Sequence, residues 1–463
     1  MHTLLQQDKN NITSLMSDVK RLSDAYFRHQ QDLAPGRYVA DIKLMNLPEK
    51  GIGATSTLSM FEKEFAHQIS NTAGPRYFGF ITGGSTPAAV AGDWLVSVYD
   101  QNAFGSNDSI APQIERQTIH FFKQLFGLDE IYFGSFVTGA TISNMVGLAL
   151  GRQWIGEQHG VDFSNEGLYS TNAITILSGT PHSSTIKASS MLGMGRNSIQ
   201  RIKTLPGREA IDITELEKTL QRANKAVIII ANAGTVNTGD FDDLEVIGKL
   251  KSKYNFWLHV DAAFGGFAAI SEKYKHLVNG INFADSITVD AHKWLNVPYD
   301  AAMLFTRHKN LQLKVFQNSA AYLGDPNQSP DFFHYTPENS RRWRALPSWF
   351  TLMAYGKEGH SEIVERNCAM AERLGTWIST SLKFKLLAPV RLNVVCFTLN
   401  NEEISSEEVK IFLSRVRDDG RAFFTPTVYN GVPAIRAAIS NWLTQESDID
   451  ITIEVLKNIS TDL

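Results

Sequence analysis

The sequence predicts an α/β protein: a mostly parallel central sheet covered by helices on both faces, followed by a smaller C-terminal α/β domain. Short, near-continuous apolar runs recur through the middle of the chain. Stretches with helical spacing separate several of them, and the pattern changes after about Arg341. Strands buried on both faces read as unbroken apolar runs, and alternation with helices marks parallel connections.

The elements follow in order. Residues 1–57 form a polar N-terminal arm in which Leu15, Val19 and Leu22 keep helical spacing. A large domain, 58–340, opens with a helical pattern over 58–69. Residues 71–89 are rich in Gly, Pro, Ser and Thr and read as loop, and 111–126 read as helix. Strands are expected at 131–137, 173–177, 226–231, 256–260, 286–289 and 302–305, with helices at 142–154, 213–222 and 244–253. The small C-terminal domain, 341–463, reads as a long helix (347–377), a strand (390–399), a helix (406–416), a further strand-like patch and a last helix.

Composition removes several function classes. The 463 residues carry 44 Lys and Arg against 48 Asp and Glu, a net charge of −4, which is not a polybasic nucleic-acid surface. At 43% apolar and 20% charged, the chain is globular rather than disordered. Cys368 and Cys396 cannot build a disulfide framework or a four-thiolate zinc site, and read as buried thiols. No metal is expected. The start, MHTLLQQDKNNITSLMSDVK, lacks the apolar core and basic lead of a secretory signal, and no run approaches the roughly 18 apolar residues of a membrane span. A cytoplasmic protein is expected. No GxGxxG follows a strand and no GxxxxGK[ST] occurs, so a nucleotide site has no support.

Ligands of open α/β sheets sit at the carboxyl ends of the strands, so the residues just after each strand matter most. Asp261-Ala262-Ala263 with Gly265-Gly266 follows one strand, and Asp290-Ala291-His292-Lys293-Trp294 follows another. A third strand leads into Asn232-Ala233-Gly234-Thr235, and a fourth into a loop with His182. The strand at 131–137 runs into 138–144, where Gly139, Ala140 and Thr141 open a helix, an arrangement that seats anions. A phosphate seat, an acid, a lysine, an imidazole and a floor of small side chains together fit pyridoxal phosphate. An acid at about 4 Å from the pyridine nitrogen, at an effective dielectric of about 20, gains on the order of 4 kcal/mol, or about three pKa units. That keeps the ring protonated and able to accept electrons.

In His259-Val260-Asp261-Ala262-Ala263, in Asp290-Ala291-His292-Lys293-Trp294-Leu295 and in Ser340-Arg341-Arg342-Trp343-Arg344-Ala345-Leu346, the chain resembles the group II pyridoxal-phosphate-dependent amino acid decarboxylases, from about Leu33 to about Asn441. These include aromatic-amino-acid, glutamate and diaminobutyrate decarboxylases. The resemblance implies fold type I, the aspartate-aminotransferase type of the pyridoxal-phosphate-dependent transferases, working as a homodimer on an amino acid. It implies decarboxylation by Schiff-base exchange at Lys293 through a quinonoid. Asp261 would hold the pyridine nitrogen, Ala263 would lie under the ring, and His182 would stack over it. Ala140 and Thr141 would bind phosphate with help from His292. Thr235 would lie near the ring hydroxyl or the Asp261 carboxylate. Arg342 or Arg344 would close the site through the dimer.

The resemblance also locates a departure. Aromatic-specific relatives carry a loop tyrosine that protonates Cα once carbon dioxide has left. Alignment through Arg341 puts Phe332 there, with Asp331 and His334 matching its neighbours and Tyr335 three residues on. Either Tyr335 takes the role, or the tyrosine is absent and aldehyde synthase chemistry follows, because a missing acid lengthens the life of the carbanion. Decarboxylation with Tyr335 as donor is the expectation. The strip 76–84 corresponds to the substrate pocket: Phe80 and Thr82 match aromatic-specific relatives, Ile81 stands where they carry proline, and Gly83-Gly84 would leave room. Arg76 could receive a side-chain carboxylate. Aromatic amino acids rank first, acidic or diamino acids second. A carbon–carbon lyase on the same scaffold and a catalytically silent relative are the competing readings. An aminotransferase would need an arginine for the α-carboxylate, and none stands out.

Overall fold

The computed structural model describes residues 1–38, 41–42, 44–103, 105, 109–168, 174–223, 225–318 and 331–461. Seven strands form the central sheet: β1 (Phe133–Val137), β2 (Ile176–Ser178), β3 (Ile199–Arg201), β4 (Val227–Asn232), β5 (Phe256–Asp261), β6 (Ser286–Val289) and β7 (Ala302–Thr306). Their order is β1-β7-β6-β5-β4-β2-β3. Only β7 is antiparallel to its neighbours, so the other strands end at one edge. The fold is the expected fold type I α/β arrangement, with β7 as its one reversal. Every residue of β4 and β5 is buried, as runs covered on both faces should be. Each large apolar side chain hidden this way contributes about 1.5–3 kcal/mol.

Helix Ala140–Gln158 covers one face of the sheet, and it can lie close because of glycine. A Cβ on Gly147 would come within 2.5 Å of the His259 ring. Helix Ala111–Phe126 stops at Gly127, whose φ of 63° suits a left-handed cap. The second sheet holds β8 (Phe384–Leu386), β9 (Val394–Leu399), β10 (Thr425–Tyr429) and β11 (Val432–Ala438) in the order β10-β11-β9-β8. Helix Ala345–Thr380 joins the two layers and breaks at Gly356, where φ is 59°.

The structure corrects several expected elements. Helix Pro87–Tyr99 begins inside the stretch read as loop. Thr86 caps it and Pro87 occupies its first turn, so the Pro and Thr that suggested a loop are its start signal. The edge strand β3, the short β8 and helix Lys309–Phe316 were not anticipated. The late strand-like patch is the β10–β11 hairpin. The strand expected at 173–177 begins at Ile176, and Ala173 lies outside the described residues. No helix among the described residues is long and apolar enough to cross a membrane.

Candidate active site

The carboxyl ends of the parallel strands surround a cavity walled by Ala140, His182, Thr235, Asp261, Ala263 and Lys293 among others. Asp261 closes β5 in register with Asn232 of β4 and Thr288 of β6. Its Oδ2 accepts from Asn144 Nδ2 at 3.0 Å and its Oδ1 from the Ala263 amide at 3.3 Å. No cation pairs with this buried carboxylate among the described residues.

Behind Asp261 stands His259, fully buried. Its Nδ1 meets Ser286 Oγ at 2.8 Å and its Nε2 meets Asn144 Oδ1 at 2.9 Å. Burial pushes its pKa down to about 4, against the opposing pull of Asp261. His182 caps helix Ser183–Met191, with Nδ1 at 2.7 Å from Ser184 Oγ. Burial holds its pKa below the usual histidine range; Lys293 and Arg436 push the same way, and Asp261 and Asp290 oppose them.

Lys293 lies on the short helix Ala291–Trp294 that follows β6. Its Nζ is 3.5 Å from Asp290 Oδ2. Asp290 Oδ1 lies 3.0 Å from His292 Nδ1, but that nitrogen accepts the Ala301 amide, so Oδ1 is buried without a hydrogen bond. Helix Ala140–Gln158 starts at Gly139, which offers no side-chain cap. Its first amides point free beside His292, whose ring a Cβ on Gly139 would meet at 3.6 Å. An anion seat, a carboxylate without a cation, a lysine and the small Ala263 therefore share one cavity. That donor set fits pyridoxal phosphate.

Not every expected site residue gathers there. Thr235 lines the cavity, but its hydroxyl donates to Glu209 Oε2 and accepts from the Asp240 amide. In the strip at 80–84, Ile81 reaches the cavity wall, whereas Phe80 is exposed at a φ of 54°. Thr82 is next to it, its Oγ1 buried and unpaired. Gly83 and Gly84 do not make room for substrate. A Cβ on Gly83 would sit 1.6 Å from the Lys293 carbonyl oxygen, and Gly84, at φ 74°, packs against Asn441. Arg76 is committed to Asp448 at 2.7 Å and to two carbonyls. Arg341 is buried in a pair with Glu115, and Arg342 and Arg344 pair with Asp93 and Asp300.

Tyr335 is the clearest correction. It is 2% exposed and its ring lies 4.5 Å from that of Phe133, at the start of β1 and thus at the far end of the sheet from Lys293. Phe332 is packed on the same Phe133 ring. Neither side chain reaches the cavity, because the chain folds this segment against the aromatic start of β1.

Three residues were missed by sequence reasoning. Asn144 lay inside the anion-seat stretch without a role, although an amide there was a readable signal. His259, two residues before Asp261, shares its face of β5. Arg436, on β11, is buried, and no carboxylate lies within ion-pair distance of it among the described residues. Its Nη1 donates to the carbonyl of Val236, a cavity-wall residue, and its Nε is unpaired. It comes from the far domain, and nothing in the local sequence marks it.

The pyridoxal-dependent decarboxylase conserved domain matches residues 38–400. An aromatic-L-amino-acid decarboxylase from Bacillus atrophaeus is 27% identical over 427 residues, covering 89% of this chain and 86% of that protein. The structure of Oryza sativa TDC with PLP and tryptamine superposes with a TM-score of 0.90 at 20% identity, covering 98% of each chain. Rhodiola rosea 4-hydroxyphenylacetaldehyde synthase superposes with a TM-score of 0.85 at 20% identity, covering 97% of this chain and 98% of that one.

Proposed function

The chain belongs to the pyridoxal-dependent decarboxylase family, and on that premise we propose that it decarboxylates an L-amino acid, aromatic side chains favoured, to the amine and carbon dioxide. The observation that carries this reading is the convergence of Asp261, His182, Lys293 and Ala140 on one cavity. Bound pyridoxal phosphate supplies the sink for the electron pair left when the bond from Cα to the carboxylate breaks. Lys293 would hold the cofactor through Nζ, and its amine would carry a proton to the substrate. Asp261 would pair with the ring nitrogen, and His182 and Ala263 would flank the ring. Ala140 and Thr141, with His292, take the phosphate, and Thr235 shapes the wall. Arg436 supports a carboxylate-bearing substrate, since a buried guanidinium without an anion is costly unless a ligand supplies one. Homodimerisation and a cytoplasmic location belong to this reading; helices Thr3–Asn10, Ile12–His29 and Ala54–Glu64 bury no side chain within their own chain.

A second reading has its own support. Among the described residues no tyrosine lines the cavity, and Phe332 and Tyr335 are buried elsewhere. A site short of an acid for Cα favours oxidation, consuming oxygen and water and giving aldehyde, carbon dioxide, ammonia and peroxide. One assay separates the readings. The protein with added cofactor meets tyrosine, tryptophan, DOPA, glutamate, aspartate and diaminobutyrate, and carbon dioxide, amine, aldehyde and peroxide are quantified. Amine equal to carbon dioxide from an aromatic substrate is expected. Aldehyde with peroxide replaces decarboxylation by the second reading, and no release from any substrate sinks both.

A further inference from the structure

We propose that Asn144 is a positioning residue that sets two groups at once, holding Asp261 as an acceptor-only carboxylate and His182 with its proton on Nε2. The inference rests on the reading of Asp261 and His182 given above.

Donor and acceptor capacities fix the direction of every bond in the cluster. A carboxylate only accepts, so the Asn144 atom 3.0 Å from Asp261 Oδ2 is the amide nitrogen. The Asn144 carbonyl oxygen therefore faces His259, 2.9 Å from Nε2, which must carry the ring proton. His259 is neutral, so its Nδ1 accepts the Ser286 hydroxyl at 2.8 Å, and Ser286 Oγ in turn accepts the Trp257 indole N–H at 3.1 Å. The chain begins at a donor-only group and ends at an acceptor-only one, with no atom left to reverse it.

The second amide hydrogen of Asn144 opens a branch. It goes to Ser184 Oγ at 3.1 Å. Ser184 then donates its own hydroxyl hydrogen to His182 Nδ1 at 2.7 Å, and the Ser184 amide donates to the same nitrogen at 3.2 Å. With Nδ1 accepting twice, a neutral His182 holds its proton on Nε2, which has no protein partner among the described residues, in a ring that lines the cavity. One buried amide, pinned by His259, thus orients the acid and the imidazole together. The glycine at 147 is what lets the helix bring Asn144 this close to β5.

The test is cofactor affinity of the full-length protein, stripped of pyridoxal phosphate and titrated with it at several pH values. Asn144→Asp keeps the shape but replaces the donor facing Asp261 with an acceptor. Affinity is expected to fall about ten- to a hundredfold at pH 8, the worth of a hydrogen bond to a charged group. It is expected to recover as pH falls and the introduced carboxyl regains a proton to donate. His259→Leu should lose affinity likewise, and His259→Gln, which keeps a donor at the ε position, should stay within about threefold of the parent. If Asn144→Asp does not fold, the two His259 variants make the same test. Wild-type affinity in Asn144→Asp or His259→Leu, beside a loss in Asp261→Ala, overturns the coupling. Wild-type affinity in Asp261→Ala as well shows instead that the assignment of Asp261 has failed.

Discussion

The two ends of the central sheet are made from the same buried strands and differ in what meets them. At the carboxyl end directed pairs hold the site's side chains: Asn144 between His259 and Asp261, Ser184 on His182, Lys293 beside Asp290. At the far end cations lie on aromatic faces, with Arg307 over Tyr132, Lys309 over Phe133 and Tyr335, and Lys251 over Phe256. Contacts of that kind are broad in geometry and contribute about 0.5–1 kcal/mol each at exposed sites. The difference teaches where chemistry can live. A hydrogen bond specifies an atom and an angle, while a cation on a ring specifies only a neighbourhood. Tyr335 has an acid group but sits at the far end, away from the cavity.

The largest expected effect breaks the comparison at the carboxyl end. Lys293→Ala should lower turnover on the order of 10⁴-fold or more, measured as carbon dioxide release, because the amine proposed to hold the cofactor is gone. Activity within tenfold of the parent would move the chemistry elsewhere.

Next in size is a pH effect. His259 and His360 both have folded-state pKa values near 4, set by burial. Each stabilises the fold fully above the unfolded value of about 6.5, and that contribution is lost as pH falls toward 4. Asp242, raised by burial to about 6, works in the opposite sense and adds stability as pH falls below 6. Two losses against one gain leave a net decrease of about 3 kcal/mol between pH 7.5 and pH 4.5. Urea unfolding at the two values checks it, and equal midpoints contradict it.

The smallest expected effect concerns the far end. Tyr335→Phe should leave kcat and the ratio of amine to aldehyde within about twofold, since the ring and its stacking on Phe133 survive. A shift from amine to aldehyde would return Tyr335 to the chemistry and erase the distinction between the ends.

Much of this molecule was legible before any coordinates. The apolar runs of β4, β5 and β6 and the helix Ala111–Phe126 were readable because period and composition are local properties. Asp261, Lys293 and His182 were readable because strand ends of a parallel sheet converge on one edge. Helix Pro87–Tyr99 was lost because its opening residues serve equally in turns and in caps.

What the sequence determined by itself was the layer architecture, the cofactor chemistry and the residues that follow each strand, all carried by neighbours along the chain. Only the tertiary structure decided which side chains meet. It joined Asn144 to His259 across 115 positions and Asn144 to Asp261 across 117, turned Gly83 from open space into a contact with Lys293, and carried Tyr335 to the wrong end. The physical reason is that hydrogen-bond direction and close packing depend on distances of a few tenths of an ångström between segments, a scale that no local pattern of residues records.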